Sequence, residues 1–258
     1  MPDDYYVSKY SGEEIDALLG KAGNSVQWAC NPNMLDNWYF GNPVNQRGQT
    51  SYTGNGYAID RWECGLKNVI VANKYITLQS NGKYSQIFQP FDLQLAGKIV
   101  TMSALINAHS GHNVGMLLYD YANNEPYSPD FVTATTANQW VVVSTSFRVA
   151  DNAPDKLSFI FYSDKTEAGD QTVDILAAKL ELGDQQTLAH KENGVWVLNE
   201  IPDYGEQLAR CQRYFQTFAT ESLRATNPLD FRPVMRTTPA LSTITVGDQT
   251  LYTASADL

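Results

Sequence analysis

Along residues 141–149, Val141, Val143, Thr145, Phe147 and Val149 alternate with Val142, Ser144, Ser146 and Arg148. An extended chain with that pattern has one apolar and one wetter side, which predicts a half-buried strand. Residues 98–107 alternate in the same way, with Val100, Met102, Ala104 and Ile106 on one side. Runs rich in Val, Ile, Thr, Tyr and Phe at 69–79, 84–91, 114–121, 157–163 and 171–182 add further strands, separated by Gly, Asn, Asp and Pro clusters. In the last run the apolar parity shifts from Val173 and Ile175 to Leu176, Ala178, Leu180 and Leu182, which predicts a bulge near Leu176. No long helical period intervenes between these runs, so antiparallel pairing and a β-sandwich are expected.

Helical periodicity falls at the two ends. Residues 11–22 open with Ser11-x-x-Glu14, whose side chains can satisfy each other's first-turn donors, and Ile15, Leu18, Leu19 and Ala22 make one narrow stripe. The stripe needs a partner surface, in its own domain or in another subunit. Near the other end Pro202 suits a helix start, and Tyr204, Leu208, Cys211, Phe215 and Phe218 recur at steps of 4, 3, 4 and 3 over about 203–218. That spacing fits either a short intermolecular seam or a helix lying on the sandwich. Residues 229–238 and 241–254 read as extended, with Gly247-Asp248 as a turn. The fold class is therefore mainly β: an antiparallel β-sandwich with a short N-terminal helix and a C-terminal helix followed by extended segments. Its expected divisions are 1–32, 33–184 and 185–258.

Composition sharpens this picture by exclusion. In 258 residues, 18 Lys and Arg oppose 28 Asp and Glu for a formal charge of −10, and no basic run occurs, which argues against a nucleic-acid partner. Aromatic residues reach 12% and charged residues only 18%, the reverse of a disordered composition. No apolar stretch approaches the roughly 20 residues of a membrane span, and the acidic Met1-Pro2-Asp3-Asp4 opening is unlike a secretory signal. Cys30, Cys64 and Cys211 are odd in number and far apart, which fits reduced thiols rather than a disulfide framework or a zinc site.

Candidate chemistry is sparse. His109 and His112, with Asp120 not far along the chain, form a weak metal set more simply read as a solvated turn, and phosphate loops, nucleophile elbows and zincin motifs are absent. Sugar recognition requires aromatic rings against the apolar face of a pyranose, flanked by amides and carboxylates. Tyr121, Asn123, Asn124 and Tyr127 supply that mixture within seven residues, beside Tyr119 and Asp120.

Several segments carry a family likeness. Asn33-Met34-Leu35-Asp36-Asn37-Trp38-Tyr39-Phe40, Asn45-Gln46-Arg47-Gly48, Gly56-Tyr57-Ala58-Ile59-Asp60-Arg61-Trp62 and Lys179-Leu180-Glu181-Leu182-Gly183 together resemble the jelly-roll modules of phage and prophage tail-fibre proteins. Those modules look like carbohydrate-binding modules of the galactose-binding-like superfamily. Thr187-Leu188-Ala189-His190 and the Cys211-Gln212-Arg213-Tyr214-Phe215 region extend the likeness, the latter resembling the helix that follows the module in many tail fibres. The resemblance implies a non-enzymatic tail-fibre or tail-associated structural protein in the virion, made without a signal peptide. It also implies homotrimerisation, contacts with other tail proteins, and a jelly roll that reads host surface carbohydrate. A free-standing glycan-binding module of a secreted degrading system is the alternative, and a glycosidase the third class. The resemblance further implies core roles for Trp38 and Trp62. No cofactor is expected beyond a structural calcium, for which Asp36, Asp174 and Glu181, in the module's first and last strands, are the candidates.

Overall fold

The computed structural model describes residues 11, 13–14, 30–65, 68–81, 85–109, 113–129, 131–134, 138–163, 170–218, 231, 233–246 and 249–256. Among these residues, thirteen strands build two antiparallel sheets. They are β1 (Ser51–Tyr52), β2 (Gly56–Tyr57), β3 (Glu63–Gly65), β4 (Asn68–Val71), β5 (Ile76–Asn81), β6 (Ser85–Asp92) and β7 (Ile99–Ala108), followed by β8 (Asn113–Asp120), β9 (Glu125–Pro126), β10 (Phe131–Ala134), β11 (Trp140–Arg148), β12 (Lys156–Ser163) and β13 (Asp170–Leu182). The first sheet runs β1-β4-β5-β13-β7-β11. The second runs β10-β8-β12-β6-β3-β2, with β9 paired to β8.

The two sheets face each other across one apolar core, as a β-sandwich jelly roll. Ile76, Leu78, Met102, Ile106, Val173 and Ile175 come from the first sheet, and Ile87, Met116, Leu118, Phe159 and Phe161 from the second, all buried. Trp62 is fully buried, edge-on to Phe40 at 5.1 Å and Phe159 at 6.1 Å, and its Nε1 donates to the carbonyls of Asp36 and Asn37. Trp38 is also buried, so both tryptophans serve the core.

The alternation at 141–149 becomes β11, whose nine residues pair in continuous register with β7. The parity shift near Leu176 is a break in register between Ile175 and Ala177. Beyond it β13 pairs with the segment at 34–40 instead of β5, through Met34 N to Leu180 O and Phe40 N to Leu176 O. The expected single strand at 69–79 is a hairpin, because Ala72 N closes a turn onto Tyr75 O and divides it into β4 and β5.

After the sandwich come β14 (Ala189–Glu192), β15 (Val195–Leu198), α1 (Tyr204–Gln212), β16 (Phe215–Phe218), β17 (Ala240–Val246) and β18 (Gln249–Ser255). Asp203 caps α1 by accepting from Glu206 N, as an N-cap aspartate does. The helix stops earlier than the stripe predicts. Arg213 N and Tyr214 N bond back to Arg210 O and Cys211 O, tightening the last turn, after which Phe215–Phe218 pairs with β18. Tyr204, Leu208, Cys211, Phe215 and Phe218 therefore form no continuous helical seam, and Cys211 and Phe215 are buried against their own chain. The expected extended run at 241–254 is divided between β17 and β18, whereas residues 233–238 form bends, with Arg236 N tied to Arg213 O. Residues 247–248, expected as a turn, and most of the helix expected at 11–22 lie outside the described residues; Ser11 and Glu14 do make the reciprocal capping bonds. Among the described residues no helix is long and apolar enough to cross a membrane.

Candidate functional site

Strand alternation places every second residue of the second sheet on its outward face, away from the core. The registers set these residues in rows: Glu63, Phe88, Ile160 and Leu117 in one, Pro90, Ser158 and Tyr119 in the next, and Gly65, Gln86, Tyr162 and Gly115 in a third. Glycines end the third row for a steric reason. A Cβ on Gly115 would collide with the Tyr162 ring and one on Gly65 with the Gln86 side chain, so both long side chains lie flat along the sheet. The result is a low floor.

The β8–β9 hairpin raises a wall beside that floor. Asp120 Oδ1 accepts from the backbone of Ala122 at 2.8 Å and Oδ2 from Asn123 Nδ2 at 2.7 Å, closing an Asx-type turn. The Asn123 amide and these backbone donors hold the Asp120 carboxyl below the ordinary aspartate range. Asn124 takes the left-handed conformation with φ of 56°, which Asn tolerates, and its Oδ1 accepts from the Tyr119 hydroxyl at 2.7 Å. The turn directs Tyr121 back over the sheet, against Phe88 and Tyr119, each at 5.0 Å between ring centroids. Its hydroxyl accepts from Gln86 Nε2. On the other side of Phe88 from that floor, Pro90, Ser158 and Tyr119 of the second row and the wall bound a groove of about 380 Å³, also lined by Phe88, Glu63 and Lys156.

Of the four residues read from the sequence as sugar ligands, Tyr121 lines this groove and is 48% exposed. Asn123 and Asn124 build the wall from behind, through Asp120 and Tyr119. Tyr127 is half-buried against the core, and its hydroxyl donates to Glu125. Burial and the Glu125 carboxylate push the Tyr127 phenol up. Phe88, Glu63, Gln86 and Lys156 escaped the sequence reading. Each stands on the outward parity of a strand, so the signal existed, but it needed the strand order to become a surface.

The three proposed calcium ligands do not meet. Asp36 pairs with Arg61 at 3.2 Å, Asp174 bonds Thr77 and His109, and Glu181 accepts from Thr187 and lies 3.8 Å from Lys179. Asp174 and Glu181 are seven residues apart in one strand, roughly 23 Å, too far to share an ion. His112 lies outside the described residues, so the His109, His112 and Asp120 set is not described as a whole. Among the described residues no group of three or more His, Cys, Asp or Glu side chains could hold a metal, and the three cysteines form no disulfide with one another.

No family model and no curated protein matches the chain. Solved structures similar to it include a CBM4 module, with 12% identity and a TM-score of 0.40 over 48% of this chain and 95% of that one. TmCBM61 in complex with β-1,4-galactotriose gives 10% identity and 0.36 over 59% and 99%. The enzymatically active domain of bacteriophage CBA120 tailspike protein 4 gives 9% identity and 0.36 over 57% and 21%. With TM-scores below 0.5, none of them assigns a ligand to this chain.

Proposed function

We propose that the chain is a non-enzymatic glycan-binding module that uses the outward groove of its second sheet. The observation that carries this reading is the contiguous run Phe88, Tyr121 and Tyr119 on the outward face of the second sheet, with Glu63 and Lys156 lining the same groove and Gln86 bonded to the Tyr121 hydroxyl. Rings in that arrangement offer stacking surface to pyranose faces, and the flanking groups offer donors and acceptors to hydroxyls. Glycoside hydrolysis needs two carboxylates on either side of the scissile bond. Among the described residues lining this groove the acids are Glu63 and Asp120, and Asp120 already accepts three bonds from its own loop, so binding without turnover is the better fit.

The biological setting rests on the sequence resemblance alone: a tail-fibre or tail-associated protein of a virion, assembled as a homotrimer with other tail proteins and reading host surface carbohydrate. A single groove of this size should bind weakly, at about −4 to −6 kcal/mol, and gain strength from several copies on one fibre. Retardation in native gels containing soluble polysaccharides tests the groove. Phe88→Ala and Tyr121→Ala should each weaken retardation roughly fivefold. Unchanged retardation in both variants would overturn the assignment, and a monomeric mass in solution would remove the trimer from it.

A further inference from the structure

The opposite side of the sandwich carries a second aromatic and polar assembly. On the outward face of the first sheet, Thr77, Asp174, Asn107 and Trp140 are cross-strand neighbours in one row over β5, β13, β7 and β11. Tyr75, at the turn before β5, meets Trp140 at 5.9 Å between ring centroids, although β5 and β11 are three strand spacings apart, roughly 14 Å. Both rings therefore lie inward over the sheet, and Trp140 keeps 36% of its surface exposed.

Next to them Asp174 is only 4% exposed, on a face that in an antiparallel sandwich is ordinarily solvated. Two donors fix it: Thr77 Oγ1 at 2.7 Å on Oδ1 and His109 Nε2 at 2.7 Å on Oδ2. The bond to a carboxylate puts a proton on Nε2, which leaves Nδ1 as the acceptor of a ring that is 45% exposed. Among the described residues the Asn107 carboxamide oxygen, between Asp174 and Trp140, is closed to solvent and has no hydrogen-bond partner, a shortage that buried polar atoms seldom tolerate.

We infer that this assembly is a second binding site, independent of the groove, that takes an uncharged sugar residue by stacking on Trp140 and bonding hydroxyls to His109. The charge pattern selects the class. Asp174 repels anions, and because His109 and Thr77 occupy its oxygens, it is poorly placed to attract a cation. A polyhydroxyl ligand suits the remaining donors and acceptors. With sites on both outward faces, one module could bridge two glycan chains.

The test uses the full chain carrying Phe88→Ala and Tyr121→Ala, so that the groove loses two of its three rings. It is titrated with soluble galactan, xylan and mixed-linkage β-glucan, and separately with choline, while the indole proton of Trp140 is followed by NMR and retardation is read in native gels. We expect at least one polysaccharide to shift the Trp140 resonance and retard the protein. Adding Trp140→Ala should weaken that retardation about tenfold, and Trp140→Tyr, which keeps a ring, should restore most of it. His109→Ala should weaken it less. If the unaltered chain is retarded but the groove variant is not, the groove is the whole site and the inference fails while the groove reading stands. Unchanged binding in Trp140→Ala, or a response to choline and to no polysaccharide, overturns it as well. No retardation of any form overturns both readings.

Discussion

The outward faces of the two sheets differ in what covers them. Over the distal half of β13, the first sheet is sealed by its own chain: Lys179 and Glu181 stand on that face yet are fully buried. Lys179 Nζ lies 2.8 Å from Cys30 Sγ and 3.6 Å from Glu200, and burial pushes the Cys30 thiol up despite the lysine beside it. Among the described residues nothing seals the second sheet over Phe88, Tyr119 and Tyr121 in that way, and Tyr121 is 48% exposed. Aromatic rings on an open face gain nothing from the core beneath it, whereas charged groups under a cover are held by one another. Polar chemistry under cover reports on folding, and aromatic chemistry in the open reports on binding.

Breaking the covered network should have the largest effect. Lys179→Ala leaves Glu181 buried without its cation and should destabilise the protein by about 3–5 kcal/mol in urea titration, with the groove's affinity unchanged in the folded fraction. Gly115→Ala lies between the two behaviours. Its new methyl forces the Tyr162 ring off the sheet, costing about 1–3 kcal/mol of stability, and pushes on Gln86, the cross-strand neighbour that bonds the Tyr121 hydroxyl, so both thermal melting and polysaccharide retardation should change. Tyr121→Ala should cost about 1 kcal/mol of binding and leave the melting temperature close to that of the parent. The smallest effect is that of pH on the wall. Because the Asp120 pKa is lowered in the folded loop, its stabilisation is present above about pH 4 and is lost as pH falls through the lowered value. The amide resonances of Ala122 and Asn123 should shift in that window and not between pH 5 and 8.

These contrasts also explain what could be read from the sequence. Period-two alternation made β11 and its partner β7 legible, and the parity slip at Leu176 located the bulge, because both signals are local. The end of α1 was not legible. Phe215 and Phe218 continue the apolar spacing of the helix, but the pairing partner that claims them, β18, lies more than thirty residues away in the chain. The site divided along the same line. Tyr121 was found because its loop is contiguous, with Asp120, Asn123 and Asn124 acting on one another at short range. Phe88 and Glu63 were missed because they join Tyr121 only through the order β8-β12-β6-β3, which depends on long-range pairing. Asp36, Asp174 and Glu181 failed as a set for a related reason: shared strands do not imply shared positions along them.

A chemical-shift map of the unaltered protein, titrated with a polysaccharide that retards it, tests the central claim most directly. The perturbed amides should include a cluster at residues 86–90, 115–122 and 156–162, the strands and wall of the groove, and this cluster should disappear in Tyr121→Ala combined with Phe88→Ala. Perturbation confined to the first sheet or to the segments after residue 185, with the groove silent, would contradict it.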